Sequence, residues 1–242
     1  MRVLLSCVVL SLCRELFLLG CLVGRFRGRL SWNVMPHDLI TDVPSPVDLR
    51  HMADAEEWGQ SAMIKRPWRT DIFACFANEI AASPLPVHRI LELGSGPGFL
   101  AKYLLESLSN VTCTLLDFST AMHKLAKVRL GNLATRAEFV ERNFKELDWS
   151  AGLGKFECVV TNQSVHELRH KAYAPKLHTQ VKEVLLPGGC YLVCDHFVGE
   201  GGMKNDQLYM SIAEQRDALL VTGFAQVEQV VIKGGLVLHR AA

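Results

Sequence analysis

From residue 87 onward, short apolar runs alternate with stretches whose apolar residues recur at helical spacing. "RILELG", "VTCTLLDF", "AEFVERNF", "FECVVTNQ" and "CYLVCDHF" are short, rich in β-branched and aromatic residues, and read as strands. Between them, "PGFLAKYLLESL" and "TAMHKLAKVRL" carry apolar residues on one helical face. A longer helical region is predicted from about 165 to 186, broken near Pro175, and "NDQLYMSIAEQRDALLVTG" reads as a helix closed by Gly223. "AQVEQVVI", "KGG" and "LVLHRA" predict a closing hairpin. Upstream, residues 36–50 are rich in Pro and Asp and predicted irregular, whereas about 53 to 82 is predicted helical and is stopped by "SPLP" at 83–86. The alternation predicts an α/β fold: a mostly parallel sheet with helices on both faces, to which the hairpin adds an antiparallel strand.

A chain of 242 residues is long enough for one large core. Its net charge of +1 gives no clear signal for a nucleic-acid partner. The eight cysteines are scattered, and Cys75, Cys113, Cys158, Cys190 and Cys194 lie in apolar runs, as expected of buried thiols in a reducing compartment. The first 34 residues stand apart, apolar and then basic. Arg14 and Glu15 interrupt the apolar run, and each would cost roughly 2.5–3.5 kcal/mol at the centre of a bilayer, so no stable membrane span is expected. The segment reads as signal-like, as a weak lipoprotein-type site at Cys21, or as an extension that is not native, with an ordinary start at Met35. The expected organisation is therefore this apolar segment at 1–34, a helical segment at 35–86 and an α/β domain at 87–242.

Ligands of open α/β sheets bind beyond the carboxyl ends of the strands, at the switch in strand order. The first predicted strand ends in "LELGSGPGFLAKYL", where Gly94, Gly96 and Gly98 permit a sharp turn into a helix and expose backbone N–H groups. A nicotinamide or flavin fingerprint would place its third glycine at 99, where this chain has Phe99. Asp117 follows about 20 residues beyond the loop, where a carboxylate can accept ribose hydroxyls. Phe118 beside it can cover an adenine; the alternative for Asp117 is a helix cap.

With "LLDFS", "VVTNQSVHEL", "LLPGGCYLV" and "TGFAQVEQVV" in that order, residues 87–241 resemble the class I S-adenosylmethionine-dependent methyltransferases. The resemblance implies a Rossmann-like seven-stranded sheet with S-adenosyl-L-methionine as cofactor. It implies that Glu92, Gly94, Ser95, Gly96 and Gly98 face the methionine part, Asp117 the ribose, and Phe118 and Met122 the adenine. Asn143 stands where the family often has an acidic residue near the adenine amine, and Phe144 and Asn162 complete the implied set. The implied reaction is in-line methyl transfer, for which alignment and exclusion of water supply much of the acceleration. His166 and His196 are candidate bases or acceptor contacts, or structural histidines, and Asp195 lies beside His196. "TNQS" lacks the prolines of the Asn/Asp-Pro-Pro-aromatic loop that enzymes methylating exocyclic amines of bases or glutamine often carry, and with no appended RNA- or protein-binding domain visible a small-molecule acceptor is expected. In this family Trp58, Lys65, Arg66, Trp68 and Arg69 would fall among the lid and acceptor contacts; a solvated basic helix end is the alternative. The rival function is a methyltransferase-like protein that binds the cofactor without turnover.

"HELRH" at 166–170 also matches a two-histidine zinc pattern, which would require both histidines on one helical face and a third ligand. No third ligand is evident, so no metal is expected and a zinc hydrolase is the remote reading. Because the implied cofactor is cytosolic, a cytoplasmic enzyme starting at Met35 is the favoured reading. The chain from Met35 is expected to fold and to bind S-adenosylmethionine as tightly as the full chain. Calorimetry on both decides this; an insoluble or non-binding shortened chain would assign residues 1–34 a structural role.

Overall fold

The computed structural model describes residues 40–242, which lie within one compact unit, and the expectations for residues 1–34 and Met35 fall outside the described residues. Helix α1 spans Met52–Lys65 and α2 spans Arg69–Ala81. The sheet and its helices follow as β1 Arg89–Leu93, α3 Phe99–Ser107, β2 Thr112–Asp117, α4 Thr120–Leu130, β3 Ala137–Glu141 and β4 Phe156–Asn162. Next come α5 Ala174–Val184, β5 Leu185–His196, α6 Ile212–Val221, β6 Val227–Lys233 and β7 Leu236–Ala241.

Among the described residues the seven strands form one sheet in the order β3-β2-β1-β4-β5-β7-β6. Strands β1 to β5 run parallel, and β7 runs antiparallel to both β5 and β6. The chain moves outward from β1 to β3, then returns to place β4 on the other side of β1. The carboxyl ends of β1 and β4 therefore diverge at the switch point, and their loops open a crevice.

Period-2 alternation divides the sheet residues between two layers. Ile90, Leu115, Val160, Leu192 and Leu238 join Ile72, Phe76 and Ile80 of α2 and Leu100 and Leu104 of α3 in one buried cluster. Cys113, Cys158, Cys190 and Cys194 are buried free thiols in the same cluster. On the other side, α5 packs against β5, and buried Tyr191 stacks near His178 and Phe224. This double coverage explains why the central strands read as continuous apolar runs.

Three predicted helices are shorter than their patterns. Arg66, Pro67 and Trp68 divide the 53–82 region into α1 and α2, because proline lacks the N–H that an unbroken helix would need. The 165–186 region contains two short 3-10 turns, Val165–Leu168 and Lys171–Tyr173, and α helix only from Ala174. Pro175 sits in the first turn of α5, where its missing N–H has no helical partner to lose. Residues 205–210 are not helical, and α6 starts after Ser211, which forms a reciprocal capping box with Glu214.

These features predict a graded stability response. Phe76→Ala opens the fully buried core and is expected to lower unfolding stability by about 3–5 kcal/mol. Ser211→Ala removes one cap at about 1 kcal/mol. Urea unfolding measures both; a cap variant as damaging as the core variant would contradict this division of the fold.

Candidate active site

The turn after β1 is built from conformations that side chains disfavour. Gly94, Gly96 and Gly98 have φ of 64°, 52° and 77°. A Cβ at Gly94 would lie 2.4 Å from Ser164 Oγ, and one at Gly98 would lie 2.9 Å from Leu130 Cδ1. A Cβ at Gly96 would meet nothing within 4 Å, so this glycine leaves open space facing the cleft. The Gly94 and Ser95 N–H groups donate to the Leu116 carbonyl at 2.8 and 3.1 Å, which fastens the loop to β2.

Asp117 ends β2 beneath that loop. Its Oδ2 accepts from Gly96 N at 2.8 Å and its Oδ1 from Ser119 N at 2.9 Å. The helix cap of α4 is Ser119, whose Oγ accepts from Met122 N, so Asp117 is not the capping residue. Burial raises the Asp117 carboxyl to about 6, partly offset by those backbone donors. Glu92 is also buried, and burial followed by the Asp117 charge pushes it well above the usual carboxylate range. Glu92 Oε2, Ser95 Oγ and Asn162 Oδ1 are buried and have no hydrogen-bond partner among the described residues.

These groups line one cleft of about 1140 Å³. Glu92, Gly94, Ser95, Gly96, Asp117, Phe118, Met122, Asn143, Phe144, Asn162, His166 and His196 all border it. Gly98 does not; it packs behind the loop against Ala126 and Leu130 of α4. Phe118 presents an exposed ring (38%), while Met122 is buried beside it. Asn143 Oδ1 already accepts from Lys145 N at 3.0 Å in a local turn. Trp58, Lys65, Arg66 and Arg69 border the cleft as well. Trp68 instead packs on the β6–β7 turn, where its ring would touch a Cβ at Gly234.

The opposite wall is a chain of charges. His166 Nδ1 lies 2.6 Å from Asp195 Oδ1, and the His166 N–H donates to Asp195 Oδ2 at 2.8 Å. His166 Nε2 faces Glu167 Oε1 at 3.3 Å, and Arg169 donates to Glu167 Oε2 at 3.1 Å. Burial alone would push the His166 imidazole down, but the charge and hydrogen bond of Asp195, with Glu167, outweigh it and hold the ring protonated up to about 10. His196 behaves oppositely: burial lowers it to about 4, and its Nε2 sits 2.9 Å from the Gln163 amide nitrogen, from which a neutral ring accepts. Tyr209 faces both rings, with centroids at 5.4 and 5.7 Å. The sequence pointed to His166, Asp195 and His196 but not to their pairing, nor to Glu167 and Gln163 as partners. The signal for the pairing is the parallel β4–β5 register, which sets Asn162 beside Cys194 and brings the two following loops together.

The described part of the Pro- and Asp-rich segment, residues 40–50, is irregular, and residues 45–50 border the cleft. Val43 N donates to the Arg169 carbonyl at 2.8 Å, and the Arg169 guanidinium donates to the Val43 and Pro44 carbonyls at 2.8 and 2.7 Å. Lys145 pairs with Asp42 at 2.6 Å, and Ser119 Oγ donates to the Leu49 carbonyl at 2.6 Å.

The geometry that "HELRH" would need is not built. Arg169 has φ of 69°, so no continuous helix joins His166 to His170. His170 Nδ1 accepts from Ala172 N at 3.1 Å and is not part of the cleft lining. Among the described residues no group of three or more His, Cys, Asp or Glu is placed to hold a metal ion.

Comparison with known proteins agrees with this architecture. A family model described as "Methyltransferase domain" matches residues 90–189. A highly reducing polyketide synthase, acrA, of Aspergillus aculeatus is 28% identical over 171 residues; the match covers 60% of this chain but only 7% of the synthase's length. Among solved structures, the DhpI–SAH complex aligns with a TM-score of 0.62 at 20% identity, covering 79% of this chain and 92% of DhpI. Human N-acetylserotonin methyltransferase in complex with SAM aligns with a TM-score of 0.62 at 15% identity, covering 80% of this chain and 56% of that one. By its strand order and its likeness to these structures the chain has the Rossmann-like fold of the class I S-adenosylmethionine-dependent methyltransferases, and residues 90–189 match a methyltransferase domain.

Proposed function

We propose that this protein transfers a methyl group from S-adenosyl-L-methionine to a small-molecule acceptor by in-line displacement, and that it works in the cytoplasm. The observation that carries the reading is the pairing of an open glycine turn with a buried carboxylate inside one cleft: Gly96 leaves room beside Asp117, and both border the space. The orphaned Glu92 Oε2, Ser95 Oγ and Asn162 Oδ1 fit a polar ligand, because buried polar atoms otherwise find partners. Asp117 has one backbone N–H on each carboxylate oxygen, which leaves lone pairs for two ribose hydroxyls. Phe118 and Met122 offer apolar surface to an adenine. Phe144 and the turn at Gly94, with Gly98 holding that turn against α4, shape the methionine end. Asn143 is a weaker candidate than its position suggests, since Lys145 already uses its oxygen.

The cofactor supplies a methyl already activated on sulfonium; this chain's residues align the acceptor and keep water out. His166 handles the acceptor's proton. Asp195 fixes its ring through Nδ1, so Nε2 is the working atom. An acceptor that displaces Glu167 from Nε2 removes one of two carboxylates stabilising the imidazolium, and the ring then deprotonates more readily. His196 stays neutral and contributes polar lining beside the acceptor. Among the described residues no helix is long and apolar enough to cross a membrane. The rival reading, cofactor binding without turnover, makes the Asp195–His166–Glu167 array an unused charge cluster.

Calorimetry with S-adenosylmethionine, followed by a methyl-transfer screen across a metabolite pool, tests the reading. Asp117→Ala and Gly96→Val are each expected to weaken cofactor binding by roughly tenfold or more, since a charged hydrogen bond contributes about 1.5–3 kcal/mol. Unchanged affinity in both folded variants would remove the site assignment. His166→Ala is expected to lower kcat by roughly 10²-fold or more while cofactor affinity stays within about threefold. Glu167→Gln should move the acidic limb of the pH–rate profile to lower pH, because loss of a carboxylate lowers the His166 pKa. A limb that stays in place, or moves upward, would contradict the role given to His166.

A further inference from the structure

The cations bordering the cleft fall into two kinds. Arg50 is paired with Asp48 at 2.7 Å, Lys145 with Asp42 at 2.6 Å and Arg169 with Glu167 at 3.1 Å. Exposed Lys65, half-buried Arg66 and buried Arg69 have no carboxylate within 4 Å and make no side-chain hydrogen bond among the described residues. For Arg69 this is unusual, because the residue is only 3% exposed. Arginine is almost never fully buried unless paired. Its guanidinium stands over the Trp58 ring at 5.3 Å, and its Nε is buried without a partner. Burial pulls its pKa down to about 10, and neighbouring Arg66 adds repulsion where a carboxylate would give relief.

Both arginines border the same cleft as His166 and His196. The Arg69 charge is felt at Cys194, near the end of β5 and next to Asp195. The Arg66 charge is felt at His196 and Tyr209, which face the His166 ring.

We propose that Arg69 and Arg66 form an anion subsite that holds a carboxylate or phosphate group of the methyl acceptor, with the Trp58 ring covering one face of the Arg69 guanidinium. The inference rests on the methyltransferase reading and narrows its acceptor to anionic small molecules. A planar guanidinium offers two parallel N–H donors, which match the two oxygens of either group. An anion here would relieve the repulsion between the arginines and satisfy the orphaned donor. It would also anchor the acceptor on the His166 side of the cleft, leaving the glycine-loop side to the cofactor.

The test uses the full chain saturated with S-adenosylhomocysteine, with benzoate and phenyl phosphate as probes and benzyl alcohol as the neutral control. At least one anion is expected to raise the melting temperature saturably at millimolar concentration, and benzyl alcohol is not. Arg69→Met and Arg66→Gln are each expected to weaken the anion effect at least tenfold while S-adenosylhomocysteine affinity stays within about threefold. Arg69→Met, without ligands, is expected to be at least as stable as the parent, because it removes an unpaired buried charge. Should that variant fail to fold, Arg69 is structural and the proposal falls for it; half-buried Arg66 carries the same binding test independently. No anion effect in the parent, or an effect unchanged in both variants, would overturn the proposal. So would a tenfold loss of S-adenosylhomocysteine affinity with 5′-methylthioadenosine affinity unchanged, which would assign the arginines to the cofactor's own carboxylate. A parent that does not bind S-adenosylhomocysteine overturns the functional reading itself, and this inference with it.

Discussion

The Asp117 carboxylate, buried at the end of β2 and held by the N–H groups of Gly96 and Ser119, is the interaction on which the site depends. It joins the turn after β1 to the turn after β2, so one side chain fixes the relative position of two loops at the mouth of the sheet. A charged group there is tolerated because backbone donors answer it, and even so burial raises it to about 6. The loop that carries the Gly96 N–H runs through positive φ at Gly94, Gly96 and Gly98, a backbone path that favours glycine before any ligand is considered. Gly94 and Gly98 then divide the remaining work, one yielding to Ser164 and the other to α4.

On the acceptor side the same rule operates through a longer chain of charges. Asp195, His166, Glu167 and Arg169 neutralise one another in sequence, and Arg169 ends on the carbonyls of Val43 and Pro44. The irregular 42–50 segment is thereby tied to the residue proposed to handle the acceptor's proton. Buried networks of this kind require every member to be satisfied. Arg69 breaks that pattern, which is why it points to a ligand where Arg169 does not.

The sheet was legible because its strands are buried on both faces and punctuated by glycine and proline, so apolar runs map directly onto strands. The strand "TCTLLD" and the helix "TAMHKLAKVRL" appear where their patterns place them, β2 and α4. Helix ends were less legible, since apolar spacing near 165–173 and 205–210 arises from 3-10 turns and loops packed on the core. The residues placed around the cofactor by resemblance line one cleft, except Gly98, whose glycine answers packing. The His166–Asp195 pair was not legible, because 29 residues separate its members and only the β4–β5 register brings them together. "HELRH" misleads for a related reason: five letters say nothing of the positive φ at Arg169 that ends the turn between its histidines.

The central claim, that Asp117 receives the cofactor's ribose as an ionised carboxylate, is tested most directly by the pH dependence of S-adenosylhomocysteine affinity between pH 5 and 8. The Asp117 carboxyl is raised to about 6, so protonation below that value removes acceptor capacity. His166 and His196 are held near 10 and 4, outside this window, and buried Glu92, also raised, is controlled for by Glu92→Gln measured alongside. Affinity is predicted to be level near pH 8 and to fall as pH drops through about 6, with a weak and level response in Asp117→Asn. An affinity that stays constant or rises toward pH 5, or a slope that survives in Asp117→Asn, would contradict the account.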